Sequence, residues 1–426
     1  MIKTARHHRA LFLVIDQGGH SSRALVFDAT GAVVCQAQCA VDTVNVQPGW
    51  FEQDAAQILL SVQQVLQSVA QQLGAQSADI QSAGLIVQRS SVVAWHRHTG
   101  SCLYPVLSWQ DTRNSRWLDE RITGQHDTLR ALTGLRPNAH YGASKIRWLL
   151  DHVDAVQQAL HDGVLCIAPL ASFLHWQLVS SAVPAAAIEP VVDGVLAART
   201  LLTESGSLHW SSELLALFEI PEQILPVIKP TLADYGCVLV GDTQVPLRLL
   251  GGDQSFVALA YGNTHAEAAF INVGTGAFIQ RLCNANTVSY GKNAPEKLLC
   301  SALMVNANGS VIIAMEGTVN AAASALDWLW QQHASTLDVH TLEATLQQTV
   351  SNSSSVPIFL NRITASGSPD WLPAGESSFS FAAPLPILAV AVLESIVFSL
   401  QRNLDVIQDT LSCEHVVISG GLSRLN

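Results

Sequence analysis

The stretch LFLVIDQGGHSSRALVFD, from Leu11 to Asp28, joins two apolar runs through a short polar turn that contains two glycines. A second stretch, AAFINVGTGAFIQRL from Ala268 to Leu282, has the same arrangement. Each pattern predicts a β-hairpin whose tip has room for a phosphate group. Two such hairpins far apart in one chain indicate a duplicated architecture, in which two similar domains face each other across a cleft and clamp a nucleotide.

Length and composition support two domains and a small partner. The chain has 426 residues, of which 49% are hydrophobic and 13% are charged, and its formal net charge is −12. This length exceeds what one core usually supports. A charged fraction well below the usual share, together with a negative net charge, argues against nucleic acid and anionic membranes as partners. We therefore expect a small-molecule ligand.

Cysteine usage and the lack of long apolar runs indicate a cytoplasmic protein. The eight cysteines include no Cys-x-x-Cys pair and no histidine spacing typical of a zinc site, so we expect reduced core thiols. The apolar run from Ala10 to Ile15 is too short for a signal core and ends at Asp16. No run is expected to approach a membrane span.

The residues after the first hairpin predict a mixed α/β sheet. A third strand is predicted from Ala32 to Cys39, and a helix from Asp54 to Leu73 that stops at Gly74. A further strand is predicted from Ser82 to Gln88, and Arg89 follows it directly. Because ligands collect beyond the carboxyl ends of strands in open α/β sheets, Arg89 is well placed for a binding site.

The second half of the chain repeats this order. Residues Val245 to Gly262 predict a strand, a double glycine, the acid Asp253 and then a helix. A long amphipathic helix is predicted from Val390 to Leu411, and the strand HVVISGG follows it. These repeats predict two domains, which we place at residues 1–247 and 248–426.

The region between the two halves has a different pattern. From Ser144 to about Ile228 it is expected to be mostly helical, with an interruption from Val183 to Gly194.

Several segments of the chain resemble the FGGY carbohydrate kinases, and among them the glycerol kinases. They occur in family order and read IDQGGHSSRALVFD, GWFEQD, GLIVQRSSVVAWHRHTGSCLYPVLSWQDTR, SKIRWLLDH, HWSSELLALFEIPEQILP, GGDQS, NVGTGAFI, EGTVNAAASALDWL, SPDWLPAG and VISGGLSR. The resemblance implies an α/β fold of two ribonuclease H-like domains, of the actin and hexokinase type, around an interdomain cleft. It also implies transfer of the γ-phosphoryl group of ATP, with Mg²⁺, to a hydroxyl of a small polyol or sugar. The sequence holds no P-loop motif.

The resemblance implies a role for each of two carboxylates. Asp16 ends the first predicted strand and corresponds to the family residue that holds Mg²⁺ through water, as a hard oxygen ligand should. Alternatively, Asp16 is a turn residue that binds its own backbone. Asp253 corresponds to the family's general base, which accepts the proton of the attacking hydroxyl. An aspartate there is also a favoured helix N-cap, and the two roles are compatible.

The substrate pocket implied by the resemblance departs from that of the glycerol kinases at two positions. The matching residues are Arg89, Ser90, Trp109, His140, Asp253, Gln254 and Phe278. Ser90 stands where glycerol kinases have glutamate, and His140 where they have tyrosine. Serine is shorter and lacks a charged acceptor, so the pocket gains room. We therefore expect a longer polyol or a ketose rather than glycerol.

The nucleotide site implied by the resemblance lies mainly in the two hairpin turns. Its matching residues are Gly18, Gly19, His20, Ser21, Arg23, Gly274, Thr275, Gly276, Ala323, Asp327, Gly420 and Gly421. Arg23 either pairs with phosphate or covers the hairpin surface. Thr275 corresponds to the family residue that contacts the β- and γ-phosphates. Alternatively, the glycines on either side of it belong to an ordinary type I′ or II′ hairpin turn, which glycines also favour.

Four of these positions depart from the glycerol-kinase pattern. Gly19 and His20 replace two threonines, which reduces phosphate contact through hydroxyls. Ala323 and Asp327 replace a glycine and a glutamine, and an acid near a polyphosphate is unfavourable unless it faces away.

The chain ends at Asn426, where the family continues with a further helix and strand. We expect a truncated second domain, or a domain covered by a partner or by a second copy of the chain, and hence a tendency to self-associate. These departures leave open a second reading, in which the protein is a catalytically impaired relative that binds sugar or nucleotide and acts in regulation.

Overall fold

The computed structural model describes residues 10–181, 188–260, 267–284, 297–334, 337, 339–352 and 355–424. The chain divides into two compact units. The N-terminal unit comprises Met1–Phe256 and Ala302–Ile312, and the C-terminal unit comprises Val257–Ser301 and Ile313–Asn426. The predicted interruption from Val183 to Gly194 lies partly outside the described residues.

The first part of the chain holds strands β1 to β13 and helices α1 to α9. The strands are β1 Leu11–Gln17, β2 Ser21–Asp28, β3 Val33–Ala40, β4 Val44–Gln47, β5 Trp50–Gln53, β6 Ile80–Val87, β7 Val92–His96, β8 Val106–Leu107, β9 Leu165–Pro169, β10 Val191–Asp193, β11 Val227–Lys229, β12 Cys237–Val240 and β13 Thr243–Gly252. The helices are α1 Ala55–Leu73, α2 Ser115–Arg121, α3 His126–Thr133, α4 Gly142–His152, α5 Asp154–His161, α6 Leu170–Ser180, α7 Gly194–Ala198, α8 Ser212–Phe218 and α9 Phe256–Leu259.

The remaining elements complete the C-terminal unit. Its strands are β14 Ala268–Val273, β15 Ala277–Asn284, β16 Leu299–Val305, β17 Val311–Val319, β18 Phe359–Leu360, β19 Ser378–Phe379 and β20 His415–Ser419, of which the end of β16 and the start of β17 lie in the Ala302–Ile312 segment of the N-terminal unit. Its helices are α10 Ala323–His333, α11 Val339–Asn352 and α12 Leu385–Gln408.

A six-stranded sheet forms the centre of the N-terminal unit, with the strand order β12-β13-β6-β1-β2-β3. Strands β1, β6 and β13 run parallel, whereas the β1–β2, β2–β3 and β12–β13 pairs are antiparallel. The last residues of the three parallel strands, Gln17, Val87 and Gly252, lie in register. Three carboxyl-terminal strand ends therefore meet at one edge of this sheet.

The predicted helix after the first three strands is confirmed as α1, with both of its predicted ends. The Asp54 carboxylate accepts a hydrogen bond of 2.8 Å from the Ala56 N–H, and Gly74 ends the helix at a φ of 54° that favours glycine. Its buried face includes Ile58, Val62 and Val69, and the helix packs on β2 and β3. Burying one such side chain contributes about 1.5–3 kcal/mol.

The N-terminal unit contains a second sheet that was not predicted from the sequence. Its five strands have the order β4-β5-β8-β7-β9. Strand β9, within the region expected to be mostly helical, is buried at all five of its residues. A short apolar run without alternation cannot be distinguished from a buried helix by its periodicity, which is why this strand was not predicted.

The C-terminal unit repeats the core arrangement of the first. Its five-stranded sheet has the order β16-β17-β15-β14-β20, in which β14 pairs antiparallel with β15 and parallel with β20. Strand β1 has the same two relationships, with β2 and with β6. The predicted duplication of hairpin and parallel strand is therefore confirmed.

Helix α12 is, in the described part of the chain, the one helix long and apolar enough to cross a membrane by length and composition. The expectation that no run approaches a membrane span is wrong in that limited sense. Leu388 and Val392 of α12 pack in one cluster with Leu326 and Leu329 of α10. This packing is typical of a core helix.

The prediction of reduced core thiols is correct only in part. All eight cysteines are free, but Cys166 and Cys300 alone are buried, and Cys102 is exposed.

Candidate active site

The first candidate carboxylate, Asp16, lies next to the carboxyl end of β1. Its half-buried side chain has its Oδ2 atom 3.8 Å from Nη1 of Arg23, the residue opposite it on β2. Burial raises the pKa of Asp16, the charge of Asp253 raises it further, and Arg23 opposes both effects. Arg23 thus interacts with a carboxylate at the sheet edge, and its pairing with phosphate stays a prediction.

The second carboxylate, Asp253, begins a tight 3-10 turn immediately after β13. Its Oδ1 accepts a hydrogen bond of 2.8 Å from the Gln254 N–H. Gly252 occupies the N-cap position of this turn, so the alternative interpretation of Asp253 as an N-cap is wrong. Burial raises the pKa of Asp253, while Arg89 and Arg199 oppose that shift. A raised pKa suits a carboxylate that accepts a proton near neutral pH.

The double glycine before Asp253 permits two close approaches. A Cβ atom at Gly252 would lie 2.6 Å from Cγ of Arg89, and one at Gly251 would lie 2.5 Å from Cε2 of Phe256. Any larger residue at position 252 would displace the Arg89 side chain. The two glycines therefore bring Arg89 beside the strand that carries Asp253.

Ser90 directly follows Arg89, and the charge of Arg89 also acts on His140, which contacts Trp109. Ser90 is 4% exposed, has a φ of 65°, and its Oγ has no hydrogen-bond partner among the described residues. The rings of Trp109 and His140 meet edge to face with centroids 5.8 Å apart. Burial and the nearby charges of Lys145, Arg199 and Arg89 hold the pKa of His140 well below its usual value. His140 is therefore a neutral ring at physiological pH.

A buried amide network connects the first hairpin turn to Trp109. The Gly19 carbonyl accepts a hydrogen bond of 2.9 Å from Nε2 of Gln53, whose Oε1 accepts one of 3.0 Å from Gln88. Oε1 of Gln88 accepts from Ser91 at 3.1 Å, and Oγ of Ser91 accepts from the Trp109 N–H at 2.9 Å. A Cβ atom at Gly19 would lie 3.3 Å from Nε1 of Trp109. Gly19, which stands where glycerol kinases have a threonine, thus lies against the indole ring of Trp109.

The other residues of the first turn form the tip of the predicted hairpin between β1 and β2. Its first amide, at Gly18, donates a hydrogen bond of 2.9 Å to the Ser21 carbonyl, while His20 is exposed and Ser21 half-buried. The binding of phosphate by these residues stays a prediction.

In the C-terminal unit, the Gly-Thr-Gly turn contacts the start of α10. The carbonyl of Gly274 accepts a hydrogen bond of 3.0 Å from Ala323, and that of Thr275 accepts one of 2.9 Å from Ala322. None of the three turn residues has a positive φ. The alternative interpretation as a type I′ or II′ turn is therefore wrong, because both types require a positive φ. Gly276 instead permits close approach, since its Cβ would lie 3.1 Å from the Val319 carbonyl.

The other predicted nucleotide residues lie close to this turn or on the same helix. Gly420 has a φ of 100°, and a Cβ there would lie 2.4 Å from the Val273 carbonyl, at the end of β14. Gly421 is exposed beside it. Ala323 is the first residue of α10, and Asp327, one turn later, is exposed to solvent. Strand ends and a helix N-terminus thus meet around Gly274, Thr275 and Gly276.

Within the N-terminal unit, the structure brings several of the predicted site residues together. Asp16, Arg89 and Asp253 interact at the edge of the N-terminal sheet, Ser90 and Gln254 adjoin them in sequence, and Trp109 meets His140. Phe278 lies on β15 in the C-terminal unit, half-buried.

Sequence reasoning missed Arg199, which is 5% exposed at the end of α7 and acts on both Asp253 and His140. Its segment, DGVLAART, gave no signal beyond a break in helical pattern.

The residues present fit a magnesium ion. Asp16 and Asp253 are two oxygen-donor side chains, and the charge of Asp253 raises the pKa of Asp16. Mg²⁺ is usually bound by one or two carboxylates together with substrate phosphates and water. Within the described ranges, no cluster of three or more histidine, cysteine or acidic residues forms a complete protein cage. Mg²⁺ would neutralise phosphate charge here, with Asp16 as its holder.

Comparisons with known proteins identify the family of the chain. Residues 11–260 match the N-terminal domain, and residues 269–426 the C-terminal domain, of the FGGY family of carbohydrate kinases. The chain therefore belongs to the FGGY family of carbohydrate kinases. It is an α/β protein with two actin- and hexokinase-like domains and a phosphotransferase with an alcohol group as acceptor.

Individual relatives are moderately similar. The glycerol kinase of Albidiferax ferrireducens is 31% identical over 395 residues, which cover 91% of this chain and 76% of that enzyme. The structure of Plasmodium falciparum glycerol kinase with ADP superposes with a TM-score of 0.83 at 22% identity, covering 98% of this chain and 83% of that one. The xylulose kinase of Rhodospirillum rubrum gives a TM-score of 0.80 at 20% identity, covering 98% and 83%.

Proposed function

We propose that this protein transfers the γ-phosphoryl group of ATP to a hydroxyl of a polyol or ketose larger than glycerol. The observation that carries this proposal is the position of Asp253, a half-buried carboxylate of raised pKa beside Arg89 at the end of β13. In this proposal Asp253 accepts the proton of the attacking hydroxyl. The hydroxyl oxygen forms a bond to the γ-phosphorus as the bond between that phosphorus and the bridging oxygen of ADP breaks.

The substrate class rests on Ser90 and His140. The buried Oγ of Ser90 lacks a partner among the described residues, so a substrate hydroxyl would satisfy it. Because His140 is neutral, its ring presents one donor and one acceptor nitrogen rather than a charge. A pocket with a short hydroxyl and a neutral ring leaves more room than one with glutamate and tyrosine, which favours a longer chain of hydroxyl-bearing carbons.

ATP and Mg²⁺ are proposed as co-substrate and metal. The family implies ATP, and ADP is present in the Plasmodium falciparum structure. In this chain, the turn at Gly274, Thr275 and Gly276 is the group proposed to meet the phosphates. The amides that begin α10 already donate to carbonyls of this turn, so the helix contributes through its dipole, whose N-terminal end favours anions. Asp16 is the proposed metal-holding carboxylate.

The second reading, an impaired relative that only binds sugar or nucleotide, gains no support from the comparisons. The two carboxylates that phosphoryl transfer requires are both present at the strand ends where they interact. A cytoplasmic location and self-association through the C-terminal unit remain proposals from composition and sequence.

A substrate panel tests the proposed function. Purified protein with ATP and Mg²⁺ is assayed for ADP release with glycerol, xylitol, D-xylulose, D-ribulose and D-gluconate. We expect a five-carbon or six-carbon compound to give a kcat/KM at least tenfold above that of glycerol. Glycerol as the best substrate would overturn the substrate class, and no ADP release with any compound would overturn the kinase activity.

A further inference from the structure

Lys145 is a buried lysine whose side chain binds only backbone oxygens in the described contacts. It lies in α4 and is 1% exposed. Its Nζ donates to four carbonyl groups, those of Ser108 at 2.8 Å, Ser90 at 2.9 Å, His140 at 2.9 Å and Trp109 at 3.3 Å. An ammonium group has three N–H donors and no acceptor, so two of these carbonyls share one donor.

These four carbonyls belong to three separate segments of the chain. The first follows β6 and holds Arg89 and Ser90, the second follows β8 and holds Trp109, and the third precedes α4 and holds His140. Each segment carries a residue of the proposed sugar pocket. One side chain therefore links all three.

Ion pairing does not account for this burial. The carboxylate whose charge acts on Lys145 is Asp111, which is itself fully buried and lies 2.8 Å from Nη2 of Arg113. Burial lowers the pKa of Lys145 to about 7, Asp111 opposes that shift and Arg113 adds to it, and the charge of Lys145 in turn lowers the pKa of His140. The contacts that remain for the ammonium are the four carbonyls, and a buried carbonyl without a partner is costly.

We propose that Lys145 is a positioning residue that holds the Ser90, Trp109 and His140 segments of the sugar pocket in one arrangement. This inference rests on the proposed function for the identity of the pocket. Lys145 touches no reacting group in this arrangement. It acts by fixing the backbone from which Arg89, Ser90, Trp109 and His140 extend.

Hydrogen–deuterium exchange tests this role without any substrate. The Lys145→Met variant keeps the length and apolar stem of the side chain but removes all three donors. Its matched control is Lys229→Met, because Lys229 is more exposed and its Nζ donates to a single carbonyl, that of Asp234, at 3.1 Å. We expect at least tenfold faster exchange in Lys145→Met in peptides that contain Ser90, Trp109 and His140, with β1 and β6 unchanged. Unchanged exchange at these segments, or an equal increase throughout the N-terminal unit, would overturn the proposal.

Steady-state kinetics of the same variants test the consequence for the pocket. With the best compound of the substrate panel, Lys145→Met is expected to raise the sugar KM at least tenfold while the ATP KM stays within twofold. A variant that lowers kcat through loss of folded protein but keeps the sugar KM would contradict a positioning role. If no compound in the panel is phosphorylated, the proposed function fails, and the exchange experiment still decides whether Lys145 holds the three segments.

Discussion

Asp16 lies on β1 and Asp253 directly follows β13, the two strands on either side of β6, and the charge of Asp253 raises the pKa of Asp16. Two like charges are thereby held near each other at one sheet edge. Such an arrangement is unfavourable unless a cation or a proton offsets it. This repulsion supports our proposal of a divalent ion held at Asp16 and proton transfer to Asp253.

Replacing the proposed base should abolish turnover and leave the fold intact. Asp253→Asn keeps the shape of the side chain but cannot accept a proton, so kcat should fall by about 10²- to 10⁴-fold. The matched control is Asp242→Asn, an exposed position in the turn that leads into the same strand, and it should keep full activity. The measurement is initial rate with circular dichroism of each variant. A value of kcat above about a tenth of the original for Asp253→Asn would remove Asp253 from this role.

The fall of kcat/KM at low pH should reflect protonation of the Asp253 carboxylate. Because the pKa of this carboxyl is raised, kcat/KM should begin to fall at a higher pH than an ordinary aspartate would give. Arg89 opposes that shift, since a positive charge favours the ionised carboxylate. Arg89→Gln should therefore move the acid limb to still higher pH, besides raising the sugar KM. An acid limb that is the same in both proteins would show that another group controls the rate.

Ser90 and His140 together should determine whether the enzyme prefers glycerol or a larger substrate. Ser90→Glu with His140→Tyr supplies the acceptor and hydroxyl of the resembled pocket, so kcat/KM for glycerol should rise relative to the larger substrate. A buried polar group without its partner costs about 1–3 kcal/mol, which corresponds to roughly tenfold to a hundredfold in specificity. The comparison is made on both substrates with the single variants as controls. No change in the ratio of the two kcat/KM values would exclude these positions from substrate selection.

A single added methyl group at Gly252 should disturb the sugar site. In Gly252→Ala the new Cβ would come within 2.6 Å of Cγ of Arg89, so that side chain must move. We expect the sugar KM to rise about tenfold, equivalent to ~1.4 kcal/mol of lost binding. Gly84→Ala on the neighbouring strand is the control, because its Cβ would meet Leu249 at an ordinary 3.4 Å. Equal KM values for the two variants would show that Arg89 adapts without loss.

The stability of the second sheet should depend on Arg113. Its guanidinium lies 4.3 Å from the Trp50 ring centroid and 4.5 Å from that of Trp148, and it pairs with Asp111 and Glu52 at 2.8 Å. Arg113→Met leaves the buried Asp111 charge without its partner, which should lower the free energy of unfolding by roughly 3–5 kcal/mol. Arg116→Met removes an exposed pair instead and should change it by less than about 1 kcal/mol. Thermal unfolding of both variants decides this, and similar Tm values would contradict it.

The hairpins, α1, α12 and Asp253 at a strand end could be predicted because their signals are local. Alternating apolar residues, an Asp cap and a Gly stop are all read within a few residues of one another. The second sheet and β9 could not be predicted, since uniform burial removes the alternation that distinguishes a strand. Long-range pairing, rather than local preference, makes those segments extended.

In the candidate site, too, some residues could be predicted from local sequence and others depend on long-range contacts. Arg89, Ser90, Trp109, His140 and Asp253 were identified through resemblance, and the structure places them around one sheet edge. Arg199, whose charge affects the pKa of Asp253 and of His140, is distant from both residues in sequence. The use of Gly251 and Gly252 as close-approach positions likewise depends on side chains from other elements, Phe256 and Arg89. No pattern within their own segments indicates such contacts.

The N-terminal unit is discontinuous, and this affects its synthesis. The Thr231 N–H donates to the Val305 carbonyl at 2.9 Å, and the Val305 N–H donates to Thr231 Oγ1 at 3.1 Å. Gly206 is close to Val311 of the same returning segment, since a Cβ there would lie 2.8 Å from that side chain. A ribosome must therefore translate past Ile312 before the first unit can close, so Val257–Ser301, the first segment of the C-terminal unit, is made before the N-terminal unit is complete.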